Sequence, residues 1–247
     1  MHKDTKFLST SILGVRVDIV SKNRALGEIL HLARLNRPSY VVTVNPEQMY
    51  DAYYDLAFKR ILNESDLSLC DGTGVLLASY LFPPRVKERV RGSEILPEIL
   101  RMTANLKMNI KVVLQKGSLS TKVAIEKYLS LIGIPKDRFK VTDEVDDAST
   151  ANITLFAMSH YKANQYIANC VSKNHLGLKI NIGGSFDYLL GLQRTPFPFL
   201  RCLGLEWLYR WMTRPCYRAK RVFKAVILFP LLLLSTKISL TLFGTKE

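Results

Sequence analysis

Asp71 closes the short apolar run Leu67–Cys70 and is followed by Gly72-Thr73-Gly74. A carboxylate in that setting, beside glycines that let a ligand approach the backbone, could serve as general base toward a substrate hydroxyl. It could equally cap the helix that follows. Thr43 and Asn45 close a second apolar run, Tyr40–Val44, and would share a crevice with Asp71 if the two runs are neighbouring strands. Asn45-Pro46 is also ordinary strand-ending chemistry. Arg89 and Arg91 flank Val90, where they could grip a diphosphate or belong to a solvated charged segment. Gly183-Gly184 and Asp187 could admit a sugar or phosphate, on a weaker signal. His2, His31, His160 and His175 show neither metal-ligand spacing nor a triad pattern. No GxGxxG or Walker sequence appears, which argues against a dehydrogenase or a P-loop enzyme.

The elements that would position these residues alternate along the chain. Ser11–Val20 reads as a hairpin or edge strand around Gly14. Lys22–Leu35 places Ala25, Ile29, Leu32 and Ala33 at helical intervals. The strand Tyr40–Val44 must stop before Pro46, and one helix with Met49, Tyr53, Leu56, Ala57 and Ile61 follows it. Strand Leu67–Cys70 leads into a helix over Gly74–Leu81, strand Lys111–Leu114 into Thr121–Leu131, and strand Ile153–Met158 into Tyr161–Asn174. Strand Leu178–Ile182 ends at Gly183-Gly184. Four or five short strands separated by helices predict an α/β fold with a doubly wound, mainly parallel, Rossmann-like sheet. Ligands bind at the carboxyl ends of such strands. Asn45, Asp71, Gln115–Gly117, Ser159–Lys162 and Gly183–Asp187 all fall there.

Near residue 195 the character changes, so a domain over 1–195 and a helical appendage over 196–247 are expected. Pro196 and Pro198 break the chain, and Trp207, Leu208, Trp211 and Met212 form an apolar stripe. The apolar run Ala225–Thr236 spans roughly 18 Å as helix, short of a hydrocarbon core of about 30 Å. Extending it to Phe243 would bury Lys237 and place Pro230 mid-helix. A helix lying in the membrane interface, its basic residues on headgroups, is the favoured expectation. A spanning helix and a core helix are the alternatives.

Lys and Arg number 35 against 21 Asp and Glu, a formal charge of +14, and no acidic residue lies between Glu206 and Glu247. The excess suits anionic partners. Nucleic acid is not expected, since no aromatic–basic platform or recognition motif is present. Cys70, Cys170, Cys202 and Cys216 form no CxxC pair, so reduced thiols in the cytoplasm are the expectation. The first residues, MHKDTKFLSTSILG, hold no apolar run long enough for a signal peptide.

Taken in order, ILGVRVD (Ile12–Asp18), VTVNPEQ (Val42–Gln48), DLSLCDGTGV (Asp66–Val75), ERVRGSEIL (Glu88–Leu96), INIGGSFDYLLG (to Gly191) and GLEWLYR (Gly204–Arg210) resemble the WecG/TagA/CpsF family of bacterial glycosyltransferases. The resemblance runs from about residue 12 to 224. It implies an inverting, metal-independent enzyme with no cofactor, acting in surface-polysaccharide synthesis. The donor would be a UDP-sugar such as UDP-N-acetylmannosamine or its uronic acid, and the acceptor a polyprenyl-diphosphate-linked N-acetylglucosamine. It implies a general base at Asp71, an active-site Thr43, Asn45 in the same pocket and Arg89 on the substrate diphosphate. Lys162, Gly183, Gly184 and Asp187 complete the candidate substrate contacts. Arg210, Arg214, Arg218 and Arg221 would dock on an anionic membrane surface and close over the lipid-linked diphosphate. The protein would then be peripheral on the inner face of the cytoplasmic membrane; a homo-oligomer remains open. The chain departs from the family pattern at Leu114-Gln115-Lys116-Gly117, at Tyr161-Lys162-Ala163-Asn164 and in the short segment between Pro135 and Ile153. These departures motivate the alternative, a relative without turnover that binds lipid-linked sugar or scaffolds polysaccharide enzymes.

Overall fold

The computed structural model describes residues 7–35, 37–144, 151–194 and 208–243, apart from 210, 211, 213 and 214. The chain opens with a hairpin, β1 (Ser9–Ile12) paired antiparallel with β2 (Val15–Asp18). Leu13 and Gly14 at its turn both have positive φ. That backbone twist matches the twist of paired strands, and burial of the Leu13 side chain offsets its strain.

After α1 (Lys22–Arg34), six strands form one sheet: β3 (Pro38–Val44), β4 (Leu67–Cys70), β5 (Ile110–Leu114), β6 (Phe139–Thr142), β7 (Ile153–Ala157) and β8 (Gly177–Asn181). Their order is β4-β3-β8-β7-β5-β6, and every pairing is parallel. The doubly wound expectation is met with one strand more than anticipated. The additional strand, β6, is a short edge strand in which only Val141 is buried, too little apolar pattern to register in the sequence.

Helices cover both faces. Beyond α1 they are α2 (Pro46–Tyr54), α3 (Leu56–Asn63), α4 (Thr73–Ala78), α5 (Gly92–Asn105), α6 (Lys122–Leu131), α7 (His160–Ser172) and α8 (Ser185–Leu189). Successive strand residues point to opposite faces, so two cores result. Val41, Leu69, Val112, Leu155 and Ile180 pack with α1, α5, α6 and Phe186 of α8. Val42, Val44, Val113 and Phe156 pack with the hairpin, α2, α3, α4 and α7. The single helix expected after β3 is two helices. The Asp55 N–H closes the first on Asp51 O, and the Asp55 carboxylate starts the second by accepting the Phe58 N–H. Helix α5 was masked in the sequence by its internal Pro97 and by the charged segment before it.

The chain ends in α9 (Pro215–Phe223), a π-helical turn over Lys224–Leu228, and α10 (Phe229–Phe243). Pro230 lacks an N–H, and its ring would clash with the carbonyl one turn back in an unbroken α-helix. The π turn relieves this by widening the ladder there: the Phe229 N–H reaches back to Lys224 O. The apolar run is thus longer than expected. Ala219–Ser239, 21 residues, is long and apolar enough to cross a membrane by length and composition. Even so, Phe229, Leu232 and Leu233 are buried in the core that α2 and α4 share.

One buried ion pair ties hairpin to sheet. Asp18 is 2 % exposed, pairs with Arg16 at 3.2 Å, and accepts the Ser68 N–H at 2.8 Å. Arg16 also donates to Ser65 O and Asn63 O. Burial pushes the Asp18 carboxyl above its usual range, and the Arg16 charge opposes that rise. Asp18→Ala leaves a buried guanidinium short of its counter-charge and is expected to cost about 3 kcal/mol, read as a lower urea midpoint with unchanged slope.

Candidate active site

The site is built where β3 and β4 end. The Asp71 N–H donates to Val44 O at 2.8 Å, so the parallel ladder runs one residue beyond β4 and sets Asp71 beside Asn45. By strand alternation Thr43 and Asp71 fall on the face of Val41 and Leu69, the face that α5 covers. Thr43 is 8 % exposed and Asp71 half-buried. The capping role open to Asp71 is not the one it takes: the N-cap of α4 is Gly72, without a side-chain bond. Asn45 does cap. Its side chain accepts the Gln48 N–H while Gln48 returns a bond to the Asn45 N–H, an arrangement that stabilises the start of α2 by about 1 kcal/mol.

The glycines have a specific task. A Cβ on Gly72, whose φ is +139°, would lie 3.1 Å from Pro46 Cδ, and one on Gly74 only 2.7 Å from Pro46 Cγ. The first turn of α2 and the Asp71–Gly74 turn thus touch with no room for a methyl group. The same Cβ on Gly74 would stand 3.8 Å from the Phe229 ring of α10.

Arg89 joins this cluster through the backbone. The Val90 N–H bonds to Cys70 O at 2.9 Å, fixing the 89–91 segment alongside the strand that delivers Asp71. The Arg89 guanidinium donates to Thr73 Oγ1. Burial pushes the Cys70 thiol up to about 12, the Asp71 carboxylate adds to the rise, and Arg89 opposes it. A carboxylate and a guanidinium therefore share one neighbourhood. Arg91 is 8 % exposed and pairs with Glu94 at 3.3 Å.

On the other side of β3, the β8 chain leaves toward the opposite face from α2, which makes the β3–β8 boundary a topological switch point. Gly183 lies there with φ +51°, and a Cβ on it would meet nothing within 4 Å. Gly92, which opens α5, approaches this turn: its Cβ would stand 3.3 Å from Ser185 Oγ. Gly184 is exposed. Asp187 serves the framework: its carboxylate accepts from the N–H and hydroxyl of Ser120 and from the Gln193 side chain, tying the loop after β5 to α8. Lys162 is exposed on the first turn of α7.

Two of the residues that depart from the family pattern have framework roles. Gln115 Oε1 accepts the Ser159 N–H at 2.9 Å, and the Gln115 N–H bonds to Ala157 O, so this residue ties the ends of β5 and β7. Ala163 is fully buried in the core beneath α7.

Of the basic candidates, Arg221 donates to Glu47 Oε2 at 2.8 Å. Arg210 and Arg214 lie outside the described residues, as does the side chain of Arg218, whose backbone is in α9. Glu47, Asp51 and His160 bring three ligand atoms within 4.8 Å of one another, a set that sequence spacing concealed because His160 comes from a distant helix. Arg221 and Lys224 already neutralise its two carboxylates, which disfavours an added cation. Gly74→Ala is expected to displace the first turn of α2 and, at the sensitivity of positioned reacting groups to shifts near 1 Å, to lower turnover about 10²-fold. Circular dichroism should show the fold retained.

The profile of the Glycosyl transferase WecG/TagA/CpsF family matches residues 10–242. The chain is 29 % identical over 194 residues to a Bacillus subtilis (strain 168) N-acetylglucosaminyldiphosphoundecaprenol N-acetyl-beta-D-mannosaminyltransferase, covering 74 % of each. Proteins of the same name from Bacillus spizizenii and Staphylococcus aureus (strain NCTC 8325) are 27 % and 26 % identical, over 73 % of both chains and 69 % and 70 % of the respective chains.

Proposed function

The chain belongs to the WecG/TagA/CpsF glycosyltransferase family, and we propose that it transfers an N-acetylmannosamine-type sugar from a UDP donor onto polyprenyl-diphosphate-linked N-acetylglucosamine. The observation that carries this reading is a half-buried Asp71 at the carboxyl end of the sheet, with Arg89 held on the turn that follows it by its bond to Thr73 Oγ1. The names of the relatives supply the acceptor class.

In this mechanism Asp71 takes the proton from an acceptor hydroxyl as that oxygen attacks the anomeric carbon. The bond from that carbon to the donor's diphosphate breaks, and UDP leaves with its negative charge. Arg89 stabilises that charge as it develops, the task a metal performs in other transferases. One displacement on one face inverts the anomeric centre. Thr43 and Asn45 line the floor, and the open Gly183-Gly184 turn leaves the backbone approachable by sugar or phosphate. Asp71→Ala is expected to lower sugar transfer by about 10² to 10⁴-fold while donor binding by calorimetry is kept. Full activity in that variant would remove Asp71 from the mechanism. Vesicle binding by wild type with no UDP release from any donor would favour the binding-only alternative.

We also place the protein on the cytoplasmic membrane surface, without a spanning helix. While Phe229, Leu232 and Leu233 pack inward, Phe223, Ile227, Leu231, Leu234 and Ile238 are exposed at intervals of three and four, an outward apolar stripe on a docked helix. Lys220 and Lys237 flank it, and no acidic residue lies between Pro215 and Phe243. Such a helix suits shallow burial in an anionic interface. Replacing Leu231, Leu234 and Ile238 together by Glu should release the protein from anionic vesicles in a flotation assay with its melting temperature little changed.

A further inference from the structure

The inward face of α10 does not by itself specify how the helix is seated. Leu231–Leu234 are four consecutive leucines, and apolar burial is non-directional. A small rotation would exchange one leucine for another against α4 at little cost. Something else must fix the rotation and axial position of this helix.

Two ion pairs one and two turns upstream can do so. On α2, Glu47 and Asp51 stand four residues apart on one face and are 12 % and 18 % exposed. Arg221 Nε lies 2.8 Å from Glu47, and Lys224 Nζ lies 2.6 Å from Asp51. Lys224 also stands over the Tyr50 ring at 5.9 Å. His160 brings α7 into the junction, its Nε2 3.3 Å from Asp51 and its Nδ1 3.7 Å from Glu47. Burial pushes the Asp51 carboxyl up, but bonds from His160 and Lys224 outweigh it and hold the group below its usual range. Three elements thus converge on two carboxylates, and Glu47 is only two residues from Asn45.

We propose that Glu47 and Asp51 are positioning residues: by engaging Arg221 and Lys224 they fix the seat of the C-terminal helix on α2 and, through it, how tightly the enzyme holds its lipid-linked acceptor. The clause about the acceptor rests on the glycosyl-transfer reading; the seating of the helix does not. The apolar contacts supply adhesion and the ion pairs supply register. Because α2 also carries the Asn45 cap and the Pro46 ring against Gly72 and Gly74, the seat is transmitted to the edge of the site.

Hydrogen exchange on the full chain tests the seating without any substrate. In Glu47→Gln/Asp51→Asn, amides of 219–239 should exchange about tenfold faster, the scale of losing two partly buried ion pairs, while strand amides stay unchanged. Lys224→Met, which leaves the domain side untouched, should give a smaller change in the same amides. The exchanged pair Asp51→Lys/Lys224→Asp should restore protection. Unchanged exchange in the first two variants would overturn the proposal, as would an exchanged pair that stays unprotected while its strands remain protected. Kinetics then test the consequence: the Michaelis constant for the lipid-linked acceptor should rise several-fold, with kcat and the donor constant nearly unchanged. A fall of kcat that lowers kcat/KM equally toward acceptor and donor would refute the positioning role. Exchange behaving as expected in a wild-type protein that transfers no sugar would instead count against glycosyl transfer.

Discussion

The arrangement depends on one close approach, that of the Pro46 ring to Gly72 and Gly74. It lets the turn after β3 and the turn after β4 lie against each other, so that two parallel strands deliver Thr43 and Asp71 to one edge. A side chain at either glycine would separate those turns and move α2 with them. Since α2 carries the acidic pair that meets the C-terminal helix, a contact of a few ångströms governs both the placing of Asp71 and the means of holding the protein's apolar end.

A division of labour among polar residues follows. Gln115 and Asp187 are spent on the framework, one joining the ends of β5 and β7 and one tying the loop after β5 to α8, while Asn45 caps α2 from the edge of the site. Asp71 and Arg89 are different. Neither caps a helix, and both act on the same buried thiol. A half-buried carboxylate and a guanidinium held in this way are what the proposed transfer asks for, proton removal at one point and charge stabilisation at another.

Much of this was legible in the sequence because the strands are short, apolar and sharply ended. Pro46 stops β3, Asp71-Gly72 stops β4, and Gly183-Gly184 follows β8, so the positions at the carboxyl edge could be named beforehand. What stayed hidden was either weakly patterned or distant in sequence. β6 buries one residue. The break at Asp55 depends on a single carboxylate preferring a helix start to a helix middle. The junction of Glu47 and Asp51 with His160 and Lys224 joins residues more than a hundred positions apart, which no local periodicity reports. Pro230 was legible as an obstacle to a long helix, but not the widened turn that removes it.

That widened turn has a geometric effect of its own. Each α-helical residue advances the facing direction by about 100°, so one extra residue before Phe229 re-phases everything beyond it. Arg221 and Lys224 can therefore be aimed at the carboxylates of α2 while Phe229, Leu232 and Leu233 are aimed into the core that α2 and α4 share, two targets that an unbroken helix would address out of step. The obstacle at Pro230 thus works as a phase adjuster, letting one segment read an electrostatic surface with its first half and a greasy one with its second.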